Sequence, residues 1–322
     1  NSPDVMRNSH DVVLRDVKRR KSTGIHNDFL QLVPGLIVDT HCAQRARLGR
    51  LMAVQAKAIE DYQDKKIISI CLEERTALVI KKNRAEVFGT GIAHFLQETE
   101  NTKVIRQVGT PLVYTDIRDD ALTHGWIYDL DKRSPDLSHI PTSTVTLPPY
   151  ATKQEKIKPF SVFSYPVKPL RMIMPSGVKD LYVITDAFSE LKLTNGLKKL
   201  STNHTNGLSL IYRNPGGSVA FVDAGIVLEG NENGEVTSKK ANANSHAQET
   251  ASLILDCSEC SYKSLSPFIS NQDYKGKSLH SPGLINMRLH LIDSRATYNI
   301  QTRRTRILEI PPPVRTMASK KK

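Results

Sequence analysis

The chain has 322 residues, 39% of them hydrophobic and 24% charged. No stretch reaches the roughly 18 apolar residues that a membrane helix needs, and the apolar content is too high for a wholly disordered chain. There are 45 Lys and Arg against 33 Asp and Glu, giving a net charge of +12; this favours anionic partners and says nothing about fold.

By length, one large domain or two ordinary ones are expected. Residues 1–30 are polar and basic, and the run Lys18-Arg19-Arg20-Lys21 reads first as a solvated loop, with an anion patch or a processing site as the alternatives. The segment FLQLVPGLIV, residues 29–38, reads as a buried strand entered through the Pro34-Gly35 turn. A helix is predicted from Gln44 onward, because Leu48, Leu51, Met52, Gln55, Ile59 and Tyr62 recur with helical spacing.

Strands follow at 65–72, 76–83 and 85–96, turned at Asn83-Arg84 and bent near Gly89 and Gly91. One or two more fall within Thr115–Leu130. Prolines 135, 141, 148, 149, 159, 166, 169 and 175 then arrive close together, a density that breaks helices and marks a linker. Beyond it DLYVITDAF, GLSLIYRN, GSVAFVDAGIVLEG, ASLILDCS, LINMRLHLID and TRILEI are short, β-branched and separated by turn signals at 214–217, 230–231 and 233–234. They predict a β-rich, sandwich-like unit. Residues 231–249 are expected to be a mobile loop, and the terminal MASKKK to be disordered. The organisation expected is therefore an α/β part over 1–134, a linker over 135–160, a β-rich domain over 161–316 and a basic tail over 317–322.

Four cysteines, Cys42, Cys71, Cys257 and Cys260, are too few for a disulfide scaffold. Cys257 and Cys260 form a single CxxC. Without a second pair or spaced histidines this reads as free thiols before a local disulfide, and as a metal site last. No metal and no cofactor are expected. The one sequon is Asn203-His204-Thr205. The sequence starts with Asn1, so a fragment, a processed product or an incompletely known sequence is expected and the compartment stays open.

Two places could carry chemistry. The first is Asp39-Thr40-His41, followed by Arg45, Arg47 and Arg50. It lies where a strand ends and a helix begins, the edge at which ligands gather in open α/β sheets. A histidine there can act as general base. Arg47 and Arg50 share a helix face and guanidinium groups grip carboxylates. The alternative is a solvated basic helix start with a satisfied histidine. The second is Glu73-Glu74, at the end of the 65–72 strand, where a carboxylate could orient an imidazole or form an ordinary solvated turn. Cys42 beside His41 is a poor nucleophile for that base, since adjacent strand residues face opposite ways. Basic residues are scattered and aromatics are only 6%, so nucleic-acid binding is not indicated.

The segments LVPGLIVDTHCAQRARLGRLMAV, ICLEERTALVI, AEVFGTGIAHFL and YTDIRDDALTHGWIYDL resemble the C-terminal half of the cyanophycinase family, relatives of the aspartyl dipeptidase peptidase E. The match is carried by Pro34, Gly35, Asp39, His41, Gln44, Arg45, Arg47, Leu48, Gly49, Arg50 and Leu51, then by Glu74, Thr76 and Ala77, and covers residues 28–131. It implies a serine hydrolase on a three-layer α/β fold similar to class I glutamine amidotransferases, incomplete in this chain. It implies His41 as base and Glu74 as the acid that orients it. Asp39, Thr40, Gln44, Arg45, Arg47 and Arg50 would line or support a pocket for an acidic or aspartyl peptide.

The sequence departs from that pattern at Thr40, Cys42, Ala46 and in IISICLEE. No serine elbow of the Gly-x-Ser-x-Gly kind lies within residues 1–38. The expected nucleophile is therefore on a second polypeptide or segment that carries the N-terminal half of the α/β domain; a homo-oligomer is a further possible partner. The alternative is a catalytically inactive relative with a structural or assembly role through its β-rich part.

Overall fold

The computed structural model describes residues 33–41, 48–73, 75–89, 91–105, 112–142, 144–146, 160–163, 181–186, 189–193, 208–213, 218–223, 226–240, 252–256, 262–265, 282–299, 302 and 304–308. Strand β1 (Leu36–Thr40) leads through helix α1 (Leu48–Tyr62) to β2 (Ile68–Leu72). The two strands are parallel, with Leu36 opposite Ile68 and Thr40 opposite Leu72. This is a βαβ unit, formed because the chain between the strands has a helical apolar period. Leu48, Leu51, Met52, Gln55 and Ile59 are buried as that period requires, whereas Tyr62 is exposed.

From there the described residues are almost entirely strand: β3 (Thr76–Lys81), β4 (Arg84–Gly89), β5 (Ala93–Ile105), β6 (Val113–Leu122), β7 (Ile127–Asp129), β8 (Ser134–Pro135), a 3-10 turn at Leu137–His139 and β9 (Thr144–Thr146). Then come β10 (Phe160–Phe163), β11 (Leu181–Asp186), β12 (Ser189–Leu193), β13 (Leu208–Arg213), β14 (Ser218–Asp223), β15 (Ile226–Gly230), β16 (Glu235–Lys240), β17 (Ser252–Asp256), β18 (Tyr262–Leu265), β19 (Pro282–Ile292), β20 (Ala296–Asn299) and β21 (Arg304–Ile307).

The expected three-layer α/β fold is therefore wrong. Among the described residues there is one α-helix against twenty-one strands. After β2 the sequence alternates with period 2, not 3.6, as the half-buried, half-solvated β3 shows. The strands assemble as a ten-stranded sheet along β1-β2-β5-β6-β19-β17-β14-β13, with β18 beside β19 and β9 beside β18. The others form a five-stranded sheet, β10-β15-β16-β20-β21, a four-stranded sheet, β3-β4-β7-β8, and the β11–β12 hairpin.

In the β1-β2-β5-β6 part of the large sheet the two faces are covered differently. Ile37 packs with Ala58, Ile59 and Ile67 at the α1 end, and Gln55 Nε2 donates to the Leu96 carbonyl at 2.9 Å. On the other face Ile68, Ile70, Ala93, Phe95 and Leu122 pack with Ala85, Val87 and Tyr128 of the β3-β4-β7-β8 sheet and with Trp126 just before β7. The Phe95 and Tyr128 rings stack 4.1 Å apart and nearly parallel. So a sheet occupies the place where helices were expected.

Pairing of β6 with β19, Asp119 opposite Met287, puts strands from either side of the proline-rich stretch in one sheet. The five-stranded sheet meets it where the Tyr298 hydroxyl donates to Asp256 Oδ2 and the Tyr298 ring lies 4.3 Å from that of His290. The loop expected over 231–249 is partly strand. Asn231 Oδ1 accepts from the N–H groups of Asn233 and Glu235 and turns the chain. Glu235–Lys240 then pairs with β15 as β16 and buries Val236 and Ser238. Residues 241–249, the MASKKK tail and the 18–21 basic run lie outside the described residues.

Two glycines meet very different constraints. Gly89 has φ +115, and a Cβ there would stand 1.9 Å from the Arg75 carbonyl oxygen; Gly35 has φ +76 with nothing within 4 Å. Gly89→Ala is expected to destabilise by roughly 2–4 kcal/mol and Gly35→Ala by only about 1 kcal/mol, as read by urea unfolding.

Buried titratable groups set the pH response. Burial pushes Asp120 up to about 6, against Arg118 and the Asn286 N–H, which hold its charged form. The unfolded carboxyl titrates near 3.8, so this contribution to stability is full below that pH and lost as pH rises to about 6. Burial pulls His290 down to about 4, against the nearby Asp256 and Asp116. Its contribution is present above the unfolded value of 6.5 and lost as pH falls towards 4. The stability of the native chain relative to Asp120→Asn is expected to fall by about 2–3 kcal/mol between pH 3.5 and pH 7. A pH-independent difference would contradict the assignment.

Candidate functional site

The candidate site lies at the C-terminal ends of β1 and β2. Parallel strands joined by a crossover helix end on the same side, so residues 39–41 and 72–73 are brought together there. Asp39 is the hinge of this arrangement. Its Oδ1 accepts from the Thr40 N–H at 2.8 Å. Its Oδ2 accepts from Arg50 Nε at 3.1 Å and from Arg50 Nη2. Arg50 is in the first turn of α1. A two-donor guanidinium contact of this kind fixes orientation as well as distance, so it ties the strand end to the helix start. Thr40 is exposed. His41 follows in the left-handed region, φ 55, an uncommon backbone state for a residue with a Cβ and one that concentrates at functional sites.

At the end of β2, Glu73 is bonded to Ile92 twice. Its N–H donates to the Ile92 carbonyl at 2.9 Å, and its Oε2 accepts from the Ile92 N–H at 3.0 Å. Arg75 takes φ 54, and the Gly91 N–H donates to Thr76 Oγ1 at 3.0 Å. The β2–β3 corner is thus bonded at several points to the start of β5.

Beneath this edge lies a histidine–carboxylate pair that the sequence analysis missed. His94 Nδ1 is 2.8 Å from Asp119 Oδ2, and the two side chains are 2% and 0% exposed. Burial works against the charge on His94, but the Asp119 carboxylate, its hydrogen bond and Glu73 outweigh it, so the ring holds its proton above the ordinary histidine range. The signal was faint: His94 and Asp119 each stand at alternate positions of strands that otherwise read as core. Only pairing of β5 with β6, Leu96 opposite Asp119, puts them side by side.

Of the residues read from the sequence, the structure brings together Asp39, Thr40, His41 and Arg50. Gln44, Arg45, Arg47 and Glu74 lie outside the described residues, as does Cys42. Cys71 is buried and disulfide-bonded; the other three cysteines lie outside the described residues. Among the described residues no group of three or more His, Cys, Asp or Glu could hold a metal ion, and no helix is long and apolar enough to cross a membrane. Neither a family model nor a curated protein matches the chain.

Asp39 and Arg50 are only partly shielded, with 14% and 20% of their side chains exposed, so solvent screens the pair. A double-mutant cycle with Asp39→Asn and Arg50→Gln is expected to give a coupling of about 1 kcal/mol, measured by chemical denaturation. Additive effects would show that the clasp does not stabilise the junction.

Proposed function

We propose that this chain supplies the base and orienting acid of a serine-type hydrolase acting on aspartyl or β-aspartyl peptides. The observation that carries the reading is the place of His41. It stands at the C-terminal edge of a parallel βαβ unit, in a strained backbone state, beside an Asp39–Arg50 contact that fixes strand to helix. In that reading His41 accepts the proton of a serine, and Glu74, next in sequence to the bonded Glu73, orients the imidazole and stabilises its charged form. By the resemblance, Arg45 and Arg47 are assigned to the substrate carboxylate, and Arg50 supports the pocket through Asp39.

The serine comes from a segment or second polypeptide other than residues 1–38. The outer edge of β1 supports this: among the described residues β1 pairs with β2 alone, and Val38 on that strand is 55% exposed. An edge with no neighbour among the described residues can take a further strand through its backbone N–H and C=O groups.

A second reading, a non-catalytic structural or assembly protein, is favoured by the β6–β19 pairing, which builds the β-rich part into the same sheet as the candidate site. Material isolated from its natural source separates the two. A hydrolase reacts with a fluorophosphonate probe at a serine on the same or a co-purifying polypeptide and cleaves β-aspartyl-arginine dipeptides. His41→Gln then lowers kcat about 10³-fold or more with the fold intact. Failure of both probe labelling and cleavage leaves the assembly reading.

A further inference from the structure

The α1-facing side of β1 and β2 is polar at their C-terminal ends, where it carries Asp39, Cys71 and Glu73. Directly opposed strand residues share a face, and so do residues two apart. Asp39 is opposite Cys71, and Cys71 is opposite His94, so the three form one row across β1, β2 and β5. Asp119 sits on the same face of β6, diagonal to His94. Glu73 is two residues beyond Cys71 and is bonded to Ile92, which is two residues before His94. Glu73 and His94 are therefore diagonal neighbours on this face, a separation of about 7 Å between backbones.

The charges around His94 come from every element packed there. Asp119 on β6 touches it, and Glu73 at the end of β2 lies beyond Ile92. Asp39 on β1 lies past Cys71 and carries the Arg50 of α1. Asp120 is on the opposite face. A buried carboxylate without a cationic partner is costly, and Asp119 Oδ1 already lacks a hydrogen-bond partner among the described residues. The imidazolium answers both Asp119 and Glu73. Attraction to the imidazolium favours the placement of the half-buried Glu73 carboxylate whose Oε2 accepts from the Ile92 N–H at 3.0 Å.

We propose that His94 is a positioning residue: held by Asp119, it keeps the Glu73 side chain on the Ile92 amide and so fixes the end of β2 against the start of β5. Arg75 is left-handed and its carbonyl leaves no room for a side chain at position 89; around it the chain is tied by the Glu73 N–H to the Ile92 carbonyl, by the Gly91 N–H to Thr76 Oγ1 and by the pairing of Thr76 with Gly89, and the Glu73 carboxylate adds the one bond that a side-chain charge can move. What the corner is for rests on the hydrolase reading; its geometry does not.

The test uses the full chain in solution. In the native protein 15N spectra of the imidazole are expected to show His94 doubly protonated at pH 7. In His94→Gln and in Asp119→Asn, amide exchange at Ile92 is expected to rise at least tenfold, with exchange in α1 and in β17–β19 unchanged. Unchanged protection at Ile92 in either folded variant, or a neutral His94 at pH 7, would overturn the proposal. Should both variants fail to fold, Glu73→Gln decides: His94 must then titrate at lower pH than in the native chain, and an unmoved titration rejects the link. If the protein cleaves β-aspartyl peptides, Glu73→Gln also lowers kcat more than it alters KM and shifts the acid limb of the pH profile. If it cleaves none, the hydrolase reading falls while the exchange and titration results still decide the positioning.

Discussion

A sheet whose strands are apolar on both sides must be covered on both sides, and that requirement organises the described structure. Ile68 and Ile70 point one way from β2, with Ser69 and Cys71 the other way, and all four are buried. Helix α1 closes one side. The hairpin β3–β4 with β7 closes the other, through Val87, Trp126 and the stacked Phe95–Tyr128 pair. Burial of this much apolar surface is the main favourable term. It also explains why a strand hairpin can stand where a helix was expected: either element presents an apolar face of suitable width.

The same coverage forces polar groups out of water. His94, Gln97, Asp119, Asp120, Asp256 and His290 are all buried, and each buried polar group must find a partner or destabilise the fold. They find them mostly across strands. His94 meets Asp119, Gln97 Nε2 donates to the Arg133 carbonyl at 2.9 Å, and His290 Nδ1 accepts from the Asp116 N–H at 3.2 Å. Asp120 is met by Arg118 Nε at 3.2 Å and by the Asn286 N–H at 2.9 Å. These contacts specify register, because a strand slipped by one residue would bury carboxylates against apolar side chains. They concentrate in β5, β6 and β19, the strands that join the βαβ unit to the β-rich remainder.

The candidate site inherits its order from this frame. Its strand ends are aligned by the parallel pairing of β1 with β2, its helix start is held through Arg50, and its far corner is bonded to β5 by Glu73. The histidine at the edge and the histidine in the floor stand in different surroundings. His41 stands at a strand end beside the exposed Thr40, whereas His94 is enclosed with carboxylates that hold its proton.

Local sequence determined the local elements. The 3.6-residue period over Leu48–Ile59 specifies α1, alternation over Thr76–Lys81 specifies β3, and the side chain of Asn231 specifies the β15–β16 turn, because each depends on contacts within a few residues. It also placed Asp39, Thr40 and His41 at a strand end, since strand-to-helix transitions are marked by the change of period. Only the tertiary structure decided what covers the second face of the sheet, that β6 pairs with β19 some 170 residues away, and that His94 faces Asp119. A period reports that a face is buried and is silent on what buries it. Partners distant in sequence are chosen by summed packing and by the pairing of buried charge, which no short stretch of chain contains.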